Sequence, residues 1–460
     1  MHDGTIERRE FMGMATMLLG AAALGGCSSV GHAETGARRV AAFSCDVTPP
    51  MGTPIYSGFK GLATIEFPLL AKGIILEDGG QRYVLCAADY CELRNSTRRL
   101  WQEKIAAAAG TSAERVAIQC VHQHTAPMGD SDASRLLDAV ANPPVHASVA
   151  SFEDPAERVA VAVKEAAARL QPYDCVGTSQ AKVERVAANR RVPLEPGKVG
   201  FRASSCKDPK LIELPEGLID PYLKTLTFAL GDKPLARLHY YATHPQSFYG
   251  DPRASYDFVG MAREKLEAKE GVPQIYFTGC GGNVACGKYN PGTPESRQGL
   301  FERLYAAMES SVAAARYAPA EAIQWKTYPL LLTPREDAGY SEADARAKLT
   351  KADGSVLERL DGAMTLAWRA RSKTPIELNA LSMGAIRIVH LCGEPAVEFQ
   401  LYAQELRPGD FVCVAGYGDG APGYICLESF FPEGGYEPTA SCVIPQSEAA
   451  FREAIRTLLQ

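Results

Sequence analysis

Several features are absent from this chain, and each absence removes a class of protein. The 460 residues contain 13 cysteines but no Cys-x-x-Cys pair. Such scattered spacing predicts no zinc cage, and a chain of this length does not need a disulfide framework to fold. No internal repeat, heptad run or Pro/Gly/Ser linker divides the chain after residue 40. One large domain is therefore the simplest organisation.

Excess positive charge and long apolar runs are absent as well. The 48 lysines and arginines are outnumbered by 54 acidic residues, which gives a formal net charge of -6. Without a basic stripe, nucleic acid is not an expected partner, nor is a membrane held by electrostatic attraction. After the N-terminal segment no run reaches the roughly 20 apolar residues that a membrane helix needs. The expected partner is a small molecule.

The N-terminal segment, residues 1–33, has the pattern of an export signal. Arg8 and Arg9 precede a short apolar run that closes on Leu24-Gly25-Gly26-Cys27. This resembles a twin-arginine signal ending in a lipoprotein box, with Cys27 as the lipidated residue. The alternative is ordinary cleavage near His32. We therefore predict an exported protein, either periplasmic or tethered to the membrane as a lipoprotein.

The twin-arginine resemblance also bears on the other cysteines. That route carries proteins that have already folded in the reducing cytoplasm, so most of the remaining cysteines are predicted to be buried and free. Cys280 and Cys286 form the one close pair that needs checking.

The rest of the chain alternates between helical and strand patterns. Clear segments are a helix over 95–110, a strand over 115–121, a helix over 152–172 and a hairpin over 225–245. Alternation of this kind predicts an α/β fold, here one large domain over 38–460 with mixed β-sheets flanked by helices. The charged, alanine-rich stretch 338–374 is predicted to be a helical excursion at the surface.

Two of only eight histidines lie at the end of the predicted strand 115–121. If that strand continues through them, His122 and His124 point to the same face, because alternate residues of a strand do so. Two imidazoles on one face can chelate a metal, or one can bind and the other support it. The alternative is that one of them is a hydrogen-bonded turn histidine.

Other potential ligands also follow predicted strands. His244 comes directly after one strand, Glu394 after a second, and Tyr424 lies in the glycine-rich loop after a third. Side chains that converge from strand ends form the sites of open α/β sheets. His239 and His390 lie inside strands instead, where core or supporting roles are expected.

Seven motifs in this chain resemble those of the neutral/alkaline non-lysosomal ceramidase family and occur in the same order. The similarity spans residues 40–445 as spaced motifs, not as continuous identity. The motifs are CDVTPPMGTPIYSGF (45–59), VHQHTAP, NRR (189–191), ATHPQS, FTGCGGNVACGKYN (277–290), CGEP and GYGDGAPGYICLESFFPEGGYEPTAS (416–441).

The resemblance implies one catalytic Zn²⁺ held by His122, His244, Glu394 and Tyr424. This donor set suits zinc and leaves a position for water, whose pKa the metal lowers to about 7. The resemblance further implies that His124 is a supporting histidine that orients groups or relays protons.

Two more catalytic residues are expected from the same resemblance. Arg190 would face the substrate, where an arginine can stabilise a developing anion. Asn283 belongs to the loop 281–284, which is expected to stabilise the same anion. It stands where the family has an aspartate, and this exchange removes a charge that would affect substrate polarity or a hydrogen bond to the metal shell.

The chain also departs from the family pattern. Ala285 occupies the position of the family's serine, so a covalent serine mechanism is excluded there, whereas a mechanism with metal-activated water survives. Cys286 is one residue out of register, and a structural role is expected for it. The sequence ends about twenty residues after the last motif, so no C-terminal immunoglobulin-like domain is expected.

The leading hypothesis is an exported, zinc-dependent amidohydrolase of the ceramidase type that cleaves a linear N-acyl bond in ceramide or in an acylated sugar or amine. One alternative is a metallohydrolase of carbohydrate-linked amides or esters. The other is a lipid-anchored binding protein that lost catalysis together with the serine. A second cation near Asp251 and Asp257 is conceivable, but these residues are better explained as caps of the helix that begins near Phe258.

Overall fold

The computed structural model describes residues 37–56, 60–248 and 250–460. The predicted export signal, with Arg8, Arg9 and Cys27, lies outside these residues, and export stays a prediction. In the described part of the chain, no helix combines the length and apolar character needed to cross a membrane.

The described residues form a mixed α/β fold. The strands are β1 (Arg39–Asp46), β2 (Thr64–Ile65), β3 (Leu70–Asp78), β4 (Gln81–Ala88), β5 (Glu92–Leu93), β6 (Val116–Cys120), β7 (Met128–Gly129), β8 (Gln171–Pro172), β9 (Cys175–Lys182), β10 (Ala188–Asn189), β11 (Arg191–Glu195), β12 (Lys198–Phe201), β13 (Tyr222–Leu230), β14 (Lys233–Tyr241), β15 (Arg253–Ala254), β16 (Gln274–Thr278), β17 (Val284–Ala285), β18 (Arg316–Pro319), β19 (Ile323–Leu330), β20 (Ile376–Met383), β21 (Ile386–His390), β22 (Glu394–Pro395), β23 (Phe411–Ala415) and β24 (Tyr424–Ile425). The α-helices are α1 (Asn95–Ala109), α2 (Ser131–Asp138), α3 (Ala150–Ala167), α4 (Pro209–Glu213), α5 (Asp257–Glu270), α6 (Pro294–Ala313), α7 (Glu342–Thr350), α8 (Val356–Arg371), α9 (Val397–Glu405), α10 (Phe430–Glu433) and α11 (Ser447–Leu459).

The first large sheet has the strand order β6-β4-β3-β1-β8. Its pairs are antiparallel except β4 with β6, which run parallel. Alternate residues of β3 divide between two apolar clusters: Ile75 packs with Trp101 and Ile105 of α1, whereas Ile74 packs on the other face of the sheet. Helices α1 and α3 therefore cover one face, and the other face points into the interior.

Contacts with α2 fix the start of α1. The helix begins at Asn95 with Arg94 before it, and no side chain caps it. The Thr97 hydroxyl donates to the hydroxyl of Ser131 in α2, at 2.8 Å. At the other end Gly110 adopts the left-handed conformation that ends many helices.

The second large sheet packs against the inner face of the first. Its strand order is β16-β14-β13-β9-β18, with β14 and β16 parallel and the other pairs antiparallel. Leu226 and Leu238 from this sheet share one apolar cluster with Ile74 and Leu85 from the first. Helices α5 and α6 contribute Phe258 and other residues to the same cluster. The two sheets thus form the main core, with helices on their outer sides.

A third sheet, β19-β20-β21-β23, carries the C-terminal part of the chain. Its last pair, β21 with β23, is parallel, and α9 and α11 cover it with an apolar cluster that includes Phe399 and Phe451. The stretch 338–374 contains the helix pair α7–α8, which packs on α2 through a small cluster of its own.

This architecture confirms the predicted α/β class with mixed sheets and flanking helices. Each of the three large sheets contains a parallel pair, and the chain segments that leave β6, β14, β21 and β23 carry the candidate ligands. The twelve cysteines of the described residues are free, and ten of them are buried. The suggested pair Cys280 and Cys286 forms no disulfide.

Candidate metal centre

His122 reaches the centre by a route that the sequence pattern did not predict. Strand β6 ends at Cys120, so His122 is not a strand residue, and it has a left-handed backbone with φ of 74°. Its N–H donates to the carbonyl of Tyr90 at 2.9 Å, which ties the chain to the segment after β4. The expectation of two histidines on one strand face is therefore wrong in its backbone detail. The imidazoles of His122 and His124 still meet, with 3.4 Å between their Nε2 atoms.

His244 follows β14 and is completely buried. Its backbone N–H donates to the carbonyl of Val284 at 2.9 Å, and the residue forms a parallel bridge with Ala285. Its Nδ1 lies 2.7 Å from the carbonyl of Gly281. The loop 281–284 therefore fixes both the backbone and the ring of this histidine.

Glu394 and Tyr424 are neighbours in a short parallel pair. They are directly opposite each other in β22 and β24. Glu394 Oε2 lies 3.0 Å from His122 Nε2 and 3.1 Å from His244 Nε2. The phenol oxygen of Tyr424 lies 3.3 Å from His244 Nε2. The four predicted ligands thus gather at one place.

The spacing and chemistry of these donor atoms fit a divalent cation. The Nε2 atoms of His122 and His244 are 3.2 Å apart. In a tetrahedral zinc site with bonds of 2.0–2.1 Å, ligand atoms are about 3.3 Å apart. The Nδ1 of His122 faces the carbonyl of Cys91 at 2.8 Å, just as His244 faces Gly281. Because a carbonyl only accepts, each Nδ1 carries the proton, and in the neutral rings each Nε2 presents a lone pair.

Two lone pairs and a carboxylate oxygen therefore face one another with no hydrogen between them. Such a cluster of acceptors is repulsive unless a proton or a cation lies among them. The pKa shifts of His122 and Glu394 have the same cause. Burial lowers the pKa of His122, but the nearby carboxylate of Glu394 outweighs burial and raises it; burial raises the pKa of Glu394, but the two histidines bring it well below its usual value. His122, His244 and Glu394 form one of the clusters able to hold a metal ion.

His124 lies beside this cluster rather than within it. Its Nε2 contacts His122, and its ring meets the ring of Tyr56 edge to face at 4.5 Å. Burial is the largest cause that brings the pKa of His124 well below 6.5, so His124 is neutral. A neutral imidazole next to the ligands can accept and return a proton.

Arg190 is buried next to Tyr424. Its Nη2 donates to the phenol oxygen at 3.0 Å and to the carbonyl of Gly282, and its Nε lies 3.4 Å from Glu437. Burial raises the pKa of Tyr424, and Arg190 offsets only part of that effect. Arg190, which was predicted to face the substrate, thus contacts Tyr424, one of the four candidate metal ligands.

The loop that carries Asn283 has mainly positioning contacts. The side-chain amide of Asn283 accepts the N–H of Val397 at 2.8 Å and donates to Glu398 at 2.9 Å, which holds the start of α9. The carbonyl of Gly281 accepts a hydrogen bond from His244, and the carbonyl of Gly282 accepts one from Arg190. The predicted catalytic role of Asn283 stays a prediction.

The thiol at position 286 is not a poised nucleophile. Cys286 is buried, and its sulfur lies 3.4 Å from the carbonyls of Ser204 and Gln246. Burial raises its pKa to about 12, so the thiol is protonated at neutral pH. Its surroundings agree with the structural role expected for it.

The other histidines and acids that the sequence singled out, His239, His390, Asp251 and Asp257, lie in the core or in hydrogen-bonded and ion pairs. His239 is hydrogen-bonded to Thr225 and Gln274, as expected for a satisfied core histidine. Within the described residues His390 is buried without a hydrogen bond, which the sequence did not predict. Asp257 accepts from Ser247, and Asp251 pairs with Arg253, so neither is arranged with the other for a second cation.

Several residues near the centre were absent from the predicted site. Tyr417 stacks on the ring of His122 at 4.2 Å, and Glu437 pairs with both Arg190 and Arg191. Both lie within the motif 416–441, which indicated their region but not their roles. Glu92, in the short strand β5, and Arg94, just after that strand, also lie close by. Their position shortly after the buried strand β4 was the available signal.

Comparison with models of protein families gave no match, and comparison with curated protein sequences gave none either. Solved structures do match. Neutral ceramidase from Pseudomonas aeruginosa superposes with a TM-score of 0.68 at 15% identity, over 92% of this chain and 74% of that chain. A ceramidase complexed with C2 gives a TM-score of 0.66 at 15% identity, over 92% of this chain and 75% of that one. The predicted resemblance is thus confirmed at the level of structure: the chain has the fold of neutral ceramidase.

Proposed function

We propose that this protein is a zinc-dependent hydrolase that cleaves the amide bond of an N-acyl substrate with water as the nucleophile. The observation that carries the proposal is the meeting of His122, His244 and Glu394 at 3.0–3.2 Å, with both Nδ1 atoms bound to carbonyls. The fold of neutral ceramidase agrees with an enzyme acting on amide bonds.

The residues present fit Zn²⁺, with Tyr424 as the fourth donor. When bound, the ion would supply a water of lowered pKa and would polarise the acyl carbonyl. Tyr424 needs support in this role because burial favours its neutral phenol. Arg190 gives that support through its hydrogen bond to the phenol oxygen, and Glu437 in turn keeps Arg190 in place.

Proton transfer is assigned to His124. Amide hydrolysis needs a group that takes a proton from the attacking water and returns it to the leaving amine. His124 is neutral and adjacent to His122, and in the described residues no carboxylate forms an ion pair with it. Its position next to His122 makes it the candidate for both transfers.

Water, not a side chain, is the proposed nucleophile. Position 285 is an alanine, and the neighbouring Cys286 is a buried, protonated thiol. The alternative of a binding protein without catalysis rests on Ala285 alone. It predicts that no N-acyl compound is turned over, whatever the metal content.

The test is metal analysis of the purified mature chain together with the release of free amine from a panel of N-acyl compounds. We expect about one zinc per chain. His122→Ala and His244→Ala should lose the zinc and at least about a thousandfold in activity, since the ion supplies several kcal/mol of stabilisation. His146→Ala is the matched control, because His146 pairs with Asp138 away from the centre. A chain that binds no zinc, or ligand variants that keep it, would refute the proposal.

A further inference from the structure

A cavity of about 310 Å³ opens directly on the candidate metal centre. Glu394 and Tyr424 lie at its inner end. Together with His122 and His244 they form what we call the cavity floor. Lys348, Leu357, Asp361 and Met364, from α7 and α8, form its outer side, which we call the helical wall. Glu92, Arg94 and Met128 also line the cavity.

The cavity suits a small substrate rather than a lipid with two long chains. Sites for drug-sized ligands range from about 300 to 1,000 Å³, and this cavity is at the lower limit. Its large aliphatic side chains, among the residues that the structure describes, are Met128, Leu357 and Met364. Three such side chains do not make an apolar channel for hydrocarbon tails.

An ion pair between the floor and the wall leaves hydrogen-bonding atoms for a ligand. Glu92 is 2% exposed and Arg94 is 8% exposed, and Arg94 Nε donates to Glu92 Oε2. Across the described residues, no hydrogen bond uses the Nη atoms of Arg94 or Oε1 of Glu92. A buried guanidinium with its fork unused is costly unless water or a ligand bonds to it. The pair therefore offers both donors and an acceptor to a bound molecule.

A second ion pair lies on the helical wall. Lys348 Nζ is 2.8 Å from Asp361 and 2.9 Å from the carbonyl of Gly339. The two pairs bring opposite charges of equal number into the cavity, so away from the floor neither an anion nor a cation is favoured. A hydroxyl group both donates and accepts, and it can bond to the cation and the carboxylate of one pair together.

Building on the proposed hydrolase function, we propose that the substrate is a small N-acyl amine whose amine part is neutral and rich in hydroxyl groups, of the size of an N-acetylated monosaccharide. The Glu92–Arg94 and Lys348–Asp361 pairs determine this specificity. The scissile amide lies at the floor, and the hydroxyl groups extend toward the wall.

The first experiment compares substrates that share one acyl group. The zinc-loaded mature chain is given N-acetylglucosamine, N-acetylglycine and N-acetylsphingosine, and amine release is measured. We expect kcat/KM for the hexosamine to exceed both others by at least about tenfold. N-acetylglycine has no hydroxyl group on its amine part, and a site built to bond hydroxyl groups discriminates against such a compound. N-acetylsphingosine has two hydroxyl groups, but the cavity of about 310 Å³ has no channel for its long hydrocarbon chain. Zinc-dependent turnover that favours N-acetylsphingosine or N-acetylglycine would overturn this inference and leave the proposed function intact. A chain that binds zinc but does not hydrolyse the hexosamine also overturns the inference, whereas a chain without zinc defeats the proposed function itself.

The second experiment locates the specificity in the two ion pairs. Lys348→Met removes the wall pair, and Arg94→Lys keeps the charge beside Glu92 but removes the fork. Each should raise KM for N-acetylglucosamine at least about fivefold, leave kcat within about twofold, and change N-acetylsphingosine turnover little. Arg346→Met is the matched control on α7, because Arg346 pairs with Glu342 on the exposed surface. If both variants fold with normal zinc content and the ratio of kcat/KM for N-acetylglucosamine to kcat/KM for N-acetylsphingosine is unchanged, the assignment is wrong.

Discussion

The cavity floor and the helical wall are built in opposite ways. The floor takes His122, His244, Glu394 and Tyr424 from segments that follow strands of three different sheets, and every one of them is buried. The wall comes from one helix pair, and its ion pair is partly exposed, with 30% of the Lys348 side chain and 48% of the Asp361 side chain accessible.

This difference separates chemistry from selection. Floor residues are fixed by backbone hydrogen bonds and sheet register, so their donor atoms have little freedom to move. The wall packs on α2 through a small apolar cluster and can change without disturbing the sheets. Variants of the floor should therefore alter metal binding, and variants of the wall should alter substrate binding alone.

Among residues other than the four candidate ligands, the largest expected effect concerns the support of the floor. Arg190→Lys keeps a positive charge near Glu437, but a lysine cannot reach Tyr424, the Gly282 carbonyl and Glu437 at the same time. Loss of such a supporting contact lowers metal affinity by about 10- to 100-fold, and we expect a decrease in that range. Competition with a chromogenic chelator measures it.

The neighbouring arginine provides the control. Arg191 also pairs with Glu437, at 3.0 Å, but it does not touch Tyr424. Arg191→Lys should therefore leave zinc affinity within about threefold, or less than about 1 kcal/mol. Equal losses in the two variants would mean that Arg190 acts through general packing and not through the phenol.

A smaller effect is expected when the wall is filled. Met364→Trp places a larger ring in the cavity and should lower kcat/KM about tenfold, through KM, with zinc content unchanged. Val356→Trp, an exposed change on the same helix, should have no such effect. Loss of zinc from the Met364 variant would show that wall and floor are coupled and would break the comparison.

The floor could be predicted from the sequence because its residues follow strand patterns and lie in ordered motifs. The route of His122 could not, since its left-handed backbone depends on a hydrogen bond to Tyr90, 32 positions earlier in the chain. The pattern correctly predicted that His122 and His124 lie close together, but it placed them on one strand, whereas the strand ends before both. The fold class needed only the alternation of helices and strands, and it is confirmed.

The wall could not be predicted because its role depends on tertiary contacts. The charges along 338–374 follow the pattern of any solvated helix. Lys348 and Asp361 line a cavity only because α7 and α8 lie close to the segment with Glu92 and Arg94. In the same way, the sequence motif identified Arg190 but did not reveal that its guanidinium contacts a phenol.

The smallest expected effect is at Ala285, and it tests whether the floor is complete as it stands. Ala285 is buried, pairs with Ala188 in the ladder of β10 and β17, and bridges to His244. Ala285→Ser adds a hydroxyl beside the centre, as Ala188→Ser does one strand away with a similar burial cost of about 1–3 kcal/mol. If water alone is the nucleophile, both variants keep kcat within about threefold and neither shows a burst of released amine. A burst, or a gain above about tenfold, confined to Ala285→Ser would mean that the natural chain is an impaired form of a serine-assisted enzyme, because only position 285 can present the new oxygen next to His244.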